Sequence, residues 1–295
     1  MKLRYFAKKT FTCLAIALFS TTMVKAVEPV TLTLWEKGAP TDNGLDPNGE
    51  NNSNLDWITG VTNSTVTVYP AENPNGTTLL MCPGGAYFGL AGMHEGSDLA
   101  KPLNDKGVTL AVLKYRLPNG HSEVPADDVW RAVELLNQNA GKFGIDVNKI
   151  GIGGASAGGH LASTVATHPR EGMTPFAFQM LVYPVVTMKQ GTHGGSRENL
   201  LGKNPTDSML DYYSNELHVS PSSPQAFIIV SANDDVVPVE NSLNYFEALK
   251  SNKVPVCLHV FPNGGHGWLC RDNFKYNSQA VEEIAEWIAN LKFDK

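Results

Sequence analysis

The 295-residue sequence is short of the features that mark several protein classes. Cysteine is scarce, at four residues. One of them, Cys13, lies in an apolar stretch near the N-terminus. The other three, Cys82, Cys257 and Cys270, are an odd number and exclude a complete disulfide framework. A single Cys257–Cys270 bridge stays open in an oxidising compartment, but three buried thiols are the simpler expectation. None of the three has zinc-site spacing, and no H-E-x-x-H pair occurs. No metal and no cofactor is therefore expected. Heptads, internal repeats, low-complexity tracts and a second long apolar run are also missing.

What is present begins with the N-terminus. Lys2, Arg4, Lys8 and Lys9 precede an apolar stretch over 11–24, which closes with Val24-Lys25-Ala26. Basic, apolar and small-residue segments in that order form an export signal cleaved after Ala26. The stretch is shorter than the roughly 20 apolar residues a membrane span needs. Residues 1–26 are thus read as a signal peptide, and the product as secreted or periplasmic. Residues 27–295 suit a single domain with a full core. The leader holds five of the 23 basic residues and none of the 29 acidic ones, leaving 18 against 29 and a formal charge of −11. So acidic a chain is a poor partner for nucleic acid or an anionic membrane.

Beyond the leader, short apolar runs alternate with helical patterns, the signature of a mostly parallel α/β sheet. Strands are expected at 31–35, 64–69, 78–82, 108–113, 149–153, 176–186, 226–230 and 254–261. Helices are expected at 127–144, 157–168, 239–251 and 277–291. The alternation breaks over 187–223, where Gly, Pro, Ser and charged residues surround one helix near 205–216. An insertion of this kind, after the sixth strand, reads as a cap or pocket wall.

Gly154-Ala155-Ser156-Ala157-Gly158 carries the chemistry. It fits G-x-S-x-G, in which a nucleophilic serine sits on a tight turn between a strand and a helix. The two glycines remove side chains that would strike the neighbouring backbone. The helix that follows turns its positive end towards the site. A glycine-rich phosphate loop is disfavoured, because no G-K-[ST] ending follows.

Such a serine needs a base and an acid later in the chain. His266, between Gly265 and Gly267 just past the last core strand, is the candidate base. His160 lies four residues after Ser156 on the same helix and is too constrained for that role; His259 lies inside a strand pattern. His94 is a candidate for the cleft wall. The acid falls in Asn233-Asp234-Asp235-Val236-Val237-Pro238. Either aspartate can hold the imidazole tautomer. The D-x-x-V-P spacing favours Asp234 and leaves Asp235 as a turn or cap residue. Backbone N–H groups of Ala157 and of Gly85 or Ala86, in Pro83-Gly84-Gly85-Ala86-Tyr87, are the candidates for an oxyanion hole. Tyr87 and Trp268 flank these loops, and their rings are candidate substrate-binding surfaces beside a small acyl pocket.

Several separated motifs then converge. Cys82-Pro83-Gly84-Gly85-Ala86-Tyr87, His94-Glu95-Gly96, Lys114-Tyr115-Arg116-Leu117-Pro118, the serine motif extended to Ala162, the 233–238 turn, and His193-Gly194-Gly195-Ser196-Arg197 together resemble the bacterial acetylxylan-esterase-like α/β hydrolases. The resemblance spans nearly all of 27–295. It implies an α/β-hydrolase fold and cofactor-free hydrolysis of acetyl esters on a plant polysaccharide. Related members take feruloyl or short aryl esters, so the chemistry is implied more firmly than the substrate. A serine peptidase with a large preceding domain does not fit the length. A non-catalytic carbohydrate-binding role does not explain the full set of reactive residues.

Overall fold

A computed structural model describes residues 28–293, so the leader, its cleavage site and Cys13 lie outside the described residues. The apolar runs become strands β1 Val30–Thr33, β2 Ile58–Thr59, β3 Thr65–Tyr69, β4 Gly76–Cys82, β5 Gly89–Leu90, β6 Thr109–Lys114, β7 Ile145–Ala155, β8 Phe178–Val182, β9 Gln225–Ser231 and β10 Val256–Phe261. The helices are α1 Ala100–Asn104, α2 Val124–Gln138, α3 Ala140–Phe143, α4 Ser156–Thr167, α5 Gly194–Leu201, α6 Asp207–Tyr212, α7 Glu240–Ser251 and α8 Asn277–Ala289.

Eight strands form one sheet in the order β1-β3-β6-β4-β7-β8-β9-β10. β3 runs antiparallel to β1 and β6, and the remaining neighbours are parallel. Parallel strands need crossovers, and the helices supply them on both faces. Successive side chains of β4 therefore enter two different cores. Leu80 and Cys82 pack with Val129, Val133, Leu161 and Val165 on one face. Leu79 and Met81 pack with Leu103, Ala280, Ile284 and Ile288 on the other. Two covered faces bury β4, β8, β9 and residues 150–155 of β7 at almost every position, while β3 alternates.

Several boundaries differ from the sequence reading. The strand expected over 176–186 ends at Val182, because Tyr183 takes a positive φ of 35° and Pro184 has no N–H to pair. The helix expected over 127–144 begins at Val124 with Pro125 in its first turn, and breaks at Asn139. The insertion holds α5 as well as α6, followed by a 3-10 turn at Asn215–Leu217. The small β2–β5 ribbon was invisible because each strand has two residues.

The Lys114–Pro118 motif proves to be a brace. Tyr115 Oη donates to the Pro83 carbonyl at 2.8 Å, under the glycine-rich loop. The buried Arg116 guanidinium meets Asp128 of α2 at 2.7 Å, and the same carboxylate accepts the Arg116 N–H. Each buried charge thus has a partner, and removing either one would leave the other uncompensated.

Candidate active site

The sheet delivers three loops to the C-terminal end of its central strands. β7 ends at Ala155, and Ser156 opens α4 with φ of 53°, a region non-glycine residues rarely occupy. The turn is possible because its flanks are bare. A Cβ on Gly154 would sit 2.1 Å from the Gly158 carbonyl oxygen, and one on Gly158 would sit 2.0 Å from that of Cys82.

Asp234 lies after β9 and His266 after β10. Ser156 Oγ lies 2.8 Å from His266 Nε2. His266 Nδ1 lies 2.7 Å from Asp234 Oδ2. With Nδ1–H donating to the carboxylate, Nε2 is free to accept the serine hydroxyl proton. The Asp234 side chain has no solvent exposure and that of His266 has 14%. Asp234 also makes the turn that had been assigned to Asp235. Its Oδ1 accepts the N–H groups of Val236 and Val237 at 3.0 and 2.9 Å. Asp235 is exposed. The sequence reading split two roles between two residues, whereas one carboxylate has an oxygen for each.

The glycine-rich loop is held by its carbonyls. Gly85 C=O accepts the N–H groups of Phe88 and Gly89, both at 2.9 Å. Gly84 C=O accepts that of Ala91 at 2.9 Å. In a trans peptide the N–H points opposite to the C=O. The Ala86 and Gly85 N–H groups are thereby turned away from these contacts, and neither meets an acceptor among the described residues. Ala157, in the first turn of α4, has an N–H that the helix itself leaves unpaired. The insertion touches this loop directly, since Asn199 Nδ2 of α5 donates to the Ala86 carbonyl at 2.8 Å. Asn215 secures the same insertion to α4 through the His160 carbonyl and Ser163 Oγ.

Tyr87 and Trp268 are not pocket walls. They are 2% and 3% exposed. Ala86 and Tyr87 both take positive φ, 56° and 59°, and the Tyr87 hydroxyl reaches His160 Nδ1 at 2.8 Å inside the core. Trp268 stacks on Phe274 and packs edge-on to Phe261 and Tyr183. The exposed rings near the loop are instead Phe88, next in sequence, and Trp57, whose indole lies against Gly89. Sequence gave no signal for Trp57, since it depends on the two-residue ribbon.

The other histidines divide by environment. His160 donates from Nε2 to the Tyr213 carbonyl, and full burial holds its pKa down to about 4, so it is a neutral core group. His94 bonds Asp56 and packs beside Arg271, lining a cavity of about 350 Å³ together with Asp98 and Asp272. His193 caps α5 by accepting the Ser196 N–H. Burial, and then the charge of His266, lower its pKa. The described cysteines are free thiols rather than a bridge. Burial pushes Cys270 up to about 12 and Cys82 higher.

A family model described as alpha/beta hydrolase fold matches residues 83–270, and the chain belongs to that family. Within it, the chain is an acetylxylan-esterase-like member. It is 34% identical over 233 residues to an acetylxylan esterase of Xylanibacter ruminicola, covering 76% of this chain and 48% of the relative. It is 37% identical over 203 residues to endo-1,4-beta-xylanase B of Butyrivibrio fibrisolvens, covering 64% of this chain and 32% of the relative. The chain thus spans half or less of these two curated relatives. The crystal structure of an acetyl ester-xyloside bifunctional hydrolase from Caldicellulosiruptor lactoaceticus superposes with a TM-score of 0.72 at 31% identity, covering 88% of this chain and 94% of that one.

Proposed function

We propose that the protein is an exported serine esterase that removes acetyl groups from a plant polysaccharide such as xylan. The observation that carries this reading is the unbroken line Asp234–His266–Ser156, with contacts of 2.7 and 2.8 Å, beside a loop with spare N–H groups. The printed activities of the xylan-directed relatives support the acetyl and xylan parts.

In this reading Ser156 Oγ attacks the acetyl carbonyl carbon while His266 Nε2 takes its proton. The imidazolium is stabilised by Asp234. Negative charge develops on the carbonyl oxygen, which the N–H groups of Ala157 and of Gly85 or Ala86 receive. The C–O bond to the sugar then breaks, and His266 returns the proton to the sugar oxygen. Water, deprotonated by His266, then attacks the acetyl-serine carbonyl, the C–Oγ bond breaks, and His266 returns the proton to Ser156 Oγ as acetate leaves. The sugar side lies by the polar insertion and the exposed Phe88 and Trp57.

The test is acetate release from acetylated xylan by the wild type and by Ser156→Ala. A loss on the order of 10⁴-fold or more in kcat is expected, since members of such a triad act as a unit. Robust activity in Ser156→Ala would falsify the mechanism. Activity rising steadily with acyl length on p-nitrophenyl esters, with no acetate from xylan, would make the protein a general carboxylesterase. N-terminal sequencing of the exported product tests cleavage after Ala26.

A further inference from the structure

We propose that Glu95 is a positioning residue that fixes the oxyanion loop and the catalytic-histidine loop relative to each other through Tyr183. This rests on the mechanism above, which gives Glu95 no part. The carboxylate is 3% exposed and lies between the two loops. Its Oε2 accepts the Gly84 N–H at 2.8 Å. Its Oε1 accepts the Tyr183 hydroxyl at 2.8 Å. That hydroxyl oxygen in turn accepts the Leu269 N–H at 3.1 Å, three residues past His266. The Tyr183 ring, itself without solvent exposure, stands 4.6 Å from the His266 ring between centroids. One continuous path of hydrogen bonds thus joins residue 84 to residue 269.

The chemistry of each atom suits that path. A carboxylate offers an acceptor on both oxygens, so it can take a donor from each side. Burial and the neighbouring carboxylate raise the Tyr183 phenol, keeping its proton available to donate. The Gly84 Cα is tightly packed, because an added Cβ would lie 2.5 Å from Glu95 Oε2, 2.7 Å from the Ala155 carbonyl oxygen and 2.8 Å from Ser156 Cβ. The Gly84 peptide is therefore clasped between Glu95 and the nucleophile, and its carbonyl is held by Ala91. The Gly85 and Ala86 N–H groups follow directly along the chain. An oxyanion donor works only when aimed at the atom that becomes charged, so slack at Gly84 reaches catalysis through those N–H groups.

The experiment uses the full chain, p-nitrophenyl acetate and 1,1,1-trifluoroacetone, whose adduct with a serine carries an oxyanion. For Glu95→Ala we expect kcat to fall about 10²-fold, as for a lost oxyanion donor. KM should stay within about 3-fold, and inhibition by trifluoroacetone should weaken by a factor similar to the kcat loss. Glu95→Gln should recover part of both, because its amide oxygen still accepts from Gly84 while the Tyr183 hydroxyl loses its acceptor. Tyr183→Phe should lower kcat, and the Glu95→Ala/Tyr183→Phe double variant should be no worse than Glu95→Ala alone. A folded Glu95→Ala with unchanged kcat and unchanged inhibition overturns the proposal. So does a kcat loss with inhibition intact, since a purely structural defect does not select the oxyanion. If Glu95→Ala does not fold, Tyr183→Phe decides on the same two readouts. A wild type inert towards p-nitrophenyl acetate would instead refute the esterase reading itself.

Discussion

Asp234→Asn should separate catalysis from folding, because the two oxygens of this carboxylate do different jobs. Oδ1 takes the Val236 and Val237 N–H groups, and Oδ2 takes His266 Nδ1–H. An asparagine must keep its oxygen towards the two N–H groups, since the reverse would face donors with donors. Its NH₂ then points at His266 Nδ1. The imidazole responds by moving its proton to Nε2, where it can no longer accept from Ser156 Oγ at 2.8 Å. The general base is lost without loss of packing. A wrong tautomer of this kind costs about 10⁴-fold in kcat, or about 5.5 kcal/mol of barrier. The turn survives, so Tm should move by no more than about 2 °C. Asp234→Ala removes both contacts and should lose stability as well. Asp235→Asn, at an exposed position, should change kcat by less than about 2-fold. The assay is initial-rate hydrolysis of p-nitrophenyl acetate alongside thermal melts. Retention of a tenth of wild-type kcat by Asp234→Asn, or a larger loss in Asp235→Asn, would refute the tautomer argument.

Two further outcomes follow from burial. Burial depresses the folded-state pKa of His160 to about 4 from its ordinary value of 6.5. The unfolded chain therefore binds the extra proton first, and this group's contribution to stability is full above pH 6.5 and drains away as pH falls to about 4. The loss amounts to roughly 3 kcal/mol. Urea unfolding across that range should show a steeper decline for the wild type than for His160→Asn; equal slopes would contradict it. Tyr87→Phe removes the donor to buried His160 Nδ1 and should destabilise by about 1–3 kcal/mol. The ratio of butyrate to acetate turnover should not change, because the ring is in the core. A marked shift towards butyrate would return Tyr87 to the acyl pocket.

How much of this was legible depends on the range of the cause. The sequence determined the order of the eight sheet strands and the longer helices, the serine turn, and the two later loops that carry His266 and an aspartate. These follow from local patterns: apolar period, and glycines where neighbouring backbones touch, as at Gly154 and Gly158. Tertiary structure decided whatever depends on direction or on distant partners. Two consecutive positive φ values at Ala86 and Tyr87 turn an aromatic ring inwards that sequence order alone placed at the cleft. Spacing already favoured Asp234 over the chemically alike Asp235, but only the position of His266, 32 residues on, gives the carboxylate its partner. The partnership of Glu95 with Tyr183 spans 88 residues. No composition or spacing encodes it, because it exists only where β8 ends beside the glycine-rich loop.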